Sequence, residues 1–153
     1  MIILFKETLA QPRQFGLGAS VGEPVGVSAK LWVTPTNALD FGLGWSIGGD
    51  RIGGMYDGEY NGDSRIHFHF DYLFHLFDAV GSTGQYPVYY GIGGRFNTGG
   101  GYFNSLAVRF VSGFAWMPKE TPIDLFIEFV PSYQLTSEPG WAIDSAIGIR
   151  YYF

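Results

Sequence analysis

The sequence contains no cysteine, which excludes disulfides, zinc ribbons and thiol nucleophiles together. Charge is also scarce. Lys, Arg, Asp and Glu make up 15% of the 153 residues, against roughly 25% in an average globular protein. A net charge of −5 without any basic stripe excludes nucleic acid as a partner. No run approaches the ~18 apolar residues of a membrane helix, and no helical periodicity of any length is present.

Aromatic residues and glycine are abundant instead: fourteen Phe, ten Tyr, four Trp and 23 Gly. So many large apolar side chains, with so few charges, leave little to cover a water-facing surface. The length fits one domain with a substantial core. Residues 1–13 read as a leader or truncated signal remnant. Its apolar stretch, Ile2 to Phe5, is short and is broken by Lys6 and Glu7 before the small-residue end Thr8-Leu9-Ala10. Residues 14–153 form the single domain.

From Gln14 onward, segments with period-two alternation are separated by Gly, Pro, Asn and Asp. Strands are expected at 14–22, 25–33, 38–47, 65–77, 86–96, 104–117, 122–134 and 141–153. One face collects apolar residues on every strand, for example Leu39, Phe41, Leu43 and Trp45, or Leu125, Ile127 and Phe129. That face carries no charge; Ser112, Ser145 and Gly94 are its mild exceptions. The other face holds nine glycines together with Lys30, Arg95, Arg109 and Arg150 against Asp40, Asp71, Asp124, Glu128 and Asp144.

Two barrels fit this pattern. A soluble lipocalin-like carrier turns the apolar face inward, whereas a transmembrane barrel turns it toward lipid. Glycine decides for the second. The lumen of an eight-stranded barrel is only just wide enough for side chains, so bulky residues there need small neighbours. A water-facing surface has no use for nine glycines, which weaken strands. The expected fold is therefore all-β, an eight-stranded antiparallel up-and-down transmembrane β-barrel. Trp45, Trp141 and Tyr133 fall near one rim, and Tyr72, Phe74, Tyr86, Trp116 and Tyr151 near the other, as interfacial aromatics do. Pro87 and Pro131 need a rim or a bulge, because a closed barrel has no edge strand.

The chain ends on IGIRYYF. Its alternation of Ile147, Ile149, Tyr151 and Phe153 resembles the C-terminal insertion signal of bacterial outer-membrane barrels. With the eight strands, residues 14–153 resemble small barrels of the OmpA/OmpX-like superfamily. That resemblance implies the outer membrane of a Gram-negative-type bacterium. It also implies outer-membrane lipid and the barrel-insertion machinery as partners. Both termini would be periplasmic, with connections Gly22–Pro24, 48–64, 97–103 and 135–140 extracellular. The turns at Thr34–Asn37, 78–85 and Pro118–Thr121 would face the periplasm.

The stretch RIHFHFDYLFHLF, residues 65–77, carries all three histidines. His67, His69, Asp71 and His75 share the lumen face. His67 and His69 are about 7 Å apart and His75 roughly 27 Å from His67 along the strand, so His75 belongs to a different site. His67, His69 and Asp71 are the candidate metal set, and a closed site wants three or four ligands. Pairing Ile47 with Ile66 would place Gly44 and Gly42 beside His69 and Asp71, with Gly91, Gly93 and Arg95 on the other side. Those neighbours offer room rather than ligands. The histidines therefore read as part of a packed polar network with the nine lumen charges and Tyr89, and neither metal nor cofactor is expected.

Catalysis has thin support. Barrel enzymes that modify lipid A or cleave peptides resemble this chain in architecture, and the deacylase type uses a His-x-Ser motif on a strand. HFHFD has no serine in that place, and Ser20, Ser28 and Ser46 are scattered. The expectation is a non-enzyme with a plugged lumen and a structural or surface-interaction role. An envelope lipid or peptide hydrolase is the alternative. In the long connection, Asp57-x-Glu59-x-Asn61-Gly62 misses the calcium-loop pattern at its third and twelfth positions. It reads as an acidic, Gly-rich surface loop whose Met55, Tyr56 and Tyr60 offer contacts to a partner that composition does not identify.

Overall fold

The structure, a computed structural model, describes residues 13–46, 65–98, 104–136 and 139–153. Within them lie eight strands: β1 (Phe15–Gly22), β2 (Val25–Trp32), β3 (Asn37–Ser46), β4 (Arg65–Leu76), β5 (Val88–Thr98), β6 (Ser105–Trp116), β7 (Ile123–Gln134) and β8 (Gly140–Tyr152). Each pairs antiparallel with its neighbours in chain order, and β8 closes onto β1, from Gly16 opposite Tyr152 to Gly22 opposite Ala146. The chain is thus an eight-stranded closed antiparallel barrel. The leader lies outside the described residues apart from Arg13.

Turn chemistry joins the strands. Between β2 and β3 the Thr34 hydroxyl accepts the N–H groups of Thr36 (3.3 Å) and Asn37 (2.9 Å), the local bonding that favours Thr at such positions. Between β4 and β5, Gly81 and Gly84 take positive φ of 76° and 70°, a conformation that costs glycine nothing. The paired ladder from Leu17 leads through Ala29, Phe41, Phe70, Gly94, Val108 and Tyr133 to Trp141. Leu17's own partner on β8 is Tyr151, ten residues further along. A stagger of ten residues over eight strands is what tilts the strands by roughly 35–45° and closes the cylinder.

The alternation resolves into an inverted molecule. Trp45, Ile127 and Ile147 are 56%, 55% and 60% exposed, whereas Lys30 and Asp124 are fully buried. Apolar residues of every strand point outward, and the charged residues of the strand interiors point into the lumen. This is the reverse of the facing a soluble carrier requires.

Two details differ from the expected arrangement. Trp45, not Ile47, pairs with Ile66, so Gly42 lies opposite His69, Gly44 opposite His67, and Asp40 opposite Asp71. The shift is two residues. It leaves every face unchanged, because the side-chain period is also two. Pro87 sits just ahead of β5, where its carbonyl accepts the Ala115 N–H at 3.0 Å. Pro131, by contrast, lies at neither a rim nor a bulge. The β6–β7 register is the same on both sides of it, with Arg109 opposite Ser132 and Ser112 opposite Phe129, while the two pairs between are interrupted. The interruption falls where proline lacks an N–H to give to β6, and pairing to β8 continues through Pro131 opposite Ile143.

Candidate functional site

The lumen is where this chain concentrates its chemistry. Arg150, fully enclosed, is its hub. It pairs with Gly18 on β1 and Asp124 on β7, and at Gly18 the β8 backbone comes so close that a Cβ would run into it. Its Nη2 donates to Asp40 Oδ1 at 2.6 Å and its Nε to Ser28 Oγ at 2.8 Å. Asp124 Oδ2 lies 3.5 Å and Glu128 Oε1 3.9 Å from the same guanidinium, which also rests 3.8 Å from the Phe126 ring centre. Lys30 Nζ adds a second cation 3.6 Å from Asp124. Charges in a low-dielectric interior survive only when paired and hydrogen-bonded in this way.

Two tyrosines complete the carboxylates. Tyr89 OH donates to Glu128 Oε1 and Tyr152 OH to Asp124 Oδ2, both at 2.7 Å. Each ring lies directly over the glycine paired with it on the next strand, Gly113 for Tyr89 and Gly16 for Tyr152. A Cβ at either glycine would run into the ring. The same trio of tyrosine, glycine and carboxylate therefore occurs twice, once on β5–β6–β7 and once on β8–β1–β7.

Toward the end of the barrel that bears the long connection, Arg95 Nη1 binds Asp144 Oδ2 at 2.7 Å. Beside them Arg109 Nε lies 3.2 Å from Asp71 Oδ1, and its Nη1 3.3 Å from His67 Nε2. His67 Nε2 and His69 Nδ1 are 2.9 Å apart. The other nitrogen of His69 faces Asp40 Oδ2 at 3.6 Å and Asp71 Oδ2 at 3.9 Å. The His69 ring covers Gly42.

His75 lies apart from the other two histidines. Its Nε2 is 3.4 Å from Lys30 Nζ, and its ring packs 4.4 Å from Trp32 and 4.9 Å from Tyr89. These belong to an apolar plug with Leu73, Ala115 and Met117 at the barrel end near the chain termini. A cavity of about 10 Å³, bounded by Ser20, Ser28, Asp40, His69, Arg109 and Glu128 among others, has room for one water.

All twelve charged or imidazole residues assigned to the lumen from the alternation are buried. Asp40 stands within reach of His69 and Asp71, which the expected register had denied it. Sequence reasoning also passed over Tyr152 and Ser28 as partners of the charges. Their signal was parity, since both occupy lumen positions of β8 and β2. Ser28 Oγ is engaged by Arg150, and Ser20 Oγ donates to the Pro24 carbonyl at 3.4 Å. Ile147, Ile149, Tyr151 and Phe153 all project outward. The Asp57–Gly62 segment lies outside the described residues.

No protein-family model and no curated protein matches the chain. Among solved structures it is similar to a barrel from the de novo design of transmembrane β-barrels. The two share 16% identity over 94% of this chain and 98% of that one, with a TM-score of 0.51. At that identity the likeness shows the fold alone, a closed β-barrel, and nothing of activity.

Proposed function

We propose that this protein is an integral outer-membrane barrel of the OmpA/OmpX-like kind, a non-enzymatic anchor with a plugged lumen that holds its connecting loops at the cell surface. The observation that carries this reading is the inverted facing, with apolar side chains exposed on all eight strands and the charges of the strand interiors buried. Exposed apolar surface on this scale belongs in lipid, where a closed barrel satisfies every backbone group internally. The outward alternation of Ile147, Ile149, Tyr151 and Phe153 supports delivery by the barrel-insertion machinery. The charged side chains that meet across the lumen, Arg150 with Asp40 and Arg95 with Asp144, support anchoring over conduction. The loop between β3 and β4 is the surface offered to a partner.

Expression in a Gram-negative host tests both parts. The protein should sediment with outer-membrane material, and purified protein in planar bilayers should give no stable conductance steps. Recovery in the soluble fraction would remove the membrane reading. Steady ion conduction would remove the plugged one.

A further inference from the structure

We propose that Asp40, His69 and Asp71 form a binding site for a divalent first-row transition ion of the Zn²⁺ type. Their ligand atoms come together within 4.8 Å of one another, and all three residues are buried. The orientation is more telling than the proximity. Asp40 accepts a hydrogen bond from Arg150 at Oδ1 and turns Oδ2 to His69 Nε2; Asp71 Oδ1 lies in ion-pair contact with Arg109 Nε at 3.2 Å, and its Oδ2 likewise turns to His69 Nε2. Each carboxylate is thus braced on one oxygen and presents the other to the same point. His69 is braced too, through the 2.9 Å contact of its Nδ1 with His67 Nε2. Partners behind the ligands that fix their orientation are the usual support of a metal centre.

The distances fit an ion better than they fit hydrogen bonds. At 3.6 and 3.9 Å the nitrogen–oxygen separations exceed hydrogen-bond length. Two ligands about 2.1 Å from a tetrahedral ion lie roughly 3.4 Å apart, so each nitrogen–oxygen pair needs to close by half an ångström or less, and the two carboxylate oxygens, within 4.8 Å of each other, close around the same ion. The one-water cavity bordering Asp40 and His69 gives a fourth ligand its place. An imidazole among the donors favours Zn²⁺ and its neighbours over Ca²⁺ or Mg²⁺, which take oxygen ligands.

Charge points the same way. Asp40 and Asp71 stand directly opposite each other across the β3–β4 ladder, where like charges destabilise a sheet. Among the described lumen residues of the strands, Asp40, Asp71, Asp124, Glu128 and Asp144 face only Lys30, Arg95, Arg109 and Arg150. A bound divalent cation offsets that excess of one carboxylate, with one positive charge to spare. The site needs only the closed barrel, so it stands or falls independently of cellular location.

The test is refolding of the full chain in detergent with zinc chloride, followed by desalting and metal analysis. One zinc per barrel should be retained, and zinc should raise the thermal transition by ~5 °C. Asp71→Asn and His69→Gln should each retain at least tenfold less, while His75→Gln retains it in full. Loss of all zinc from the wild type on desalting overturns the site, as does equal retention by Asp71→Asn and His69→Gln. X-ray absorption at the zinc edge of the wild type needs no variant to fold. One imidazole with oxygen ligands supports the site, and an all-oxygen shell overturns it.

Discussion

Arg150→Met should destabilise the barrel by about 3–5 kcal/mol, the cost of leaving a buried charge without its partner. Methionine replaces much of the arm's volume but none of its donors. Asp40 loses its 2.6 Å ion pair, Ser28 loses its donor, and Asp124 and Glu128 lose the guanidinium at 3.5 and 3.9 Å. Lys30 remains, 3.6 Å from Asp124 and opposite Asp40 on the β2–β3 ladder, and among the described residues no other Lys or Arg forms an ion pair with Asp40. Adding Asp40→Asn to Arg150→Met should recover part of the loss, because one carboxylate then needs no counter-charge. Urea unfolding in lipid vesicles, followed by tryptophan fluorescence, measures both variants. A change below about 1 kcal/mol for Arg150→Met would mean that the lumen admits enough water to solvate these groups.

Ile127→Lys should cost about 2–4 kcal/mol in vesicles, the penalty for a lysine on the lipid face near the bilayer midplane. Ile127 lies within β7 between Phe114 and Ile147, and it is 55% exposed. On a water-facing strand the same substitution would fall within about 0.5 kcal/mol. The sign of the environment is therefore read from one residue. Unfolding curves of Ile127→Lys and the wild type in the same vesicles give the number, and a difference near zero contradicts lipid contact at this position.

These predictions rest on features that differ in how far the chain discloses them. The facing was legible because it depends only on parity: Lys30, Asp40 and Arg150 occupy alternate positions among apolar neighbours, and nothing about distant strands is needed to see it. The strand ends were legible to within about two residues for the same reason. Register was not. The pairing of Trp45 with Ile66 depends on how the connection 47–64 closes, and a shift by two residues leaves the hydrophobic pattern unchanged. That shift is what hid Asp40 from the His69 group, since its nearness to Asp71 exists only across β3 and β4. Pro131 was misread for a related reason. The general rule keeps proline out of paired strands, yet a barrel strand has two neighbours, and here only the β6 ladder is interrupted. The tyrosine–glycine–carboxylate trios likewise join three strands each, so no local spacing announces them.

The inverted barrel is the claim on which the rest depends. Heat-modifiable migration on a gel tests it most directly, using protein extracted with detergent from a membrane fraction. A closed barrel with its charges sealed inside should resist the detergent unheated and run faster than the boiled, unfolded chain. Protein that is soluble without detergent and migrates identically before and after boiling would contradict it.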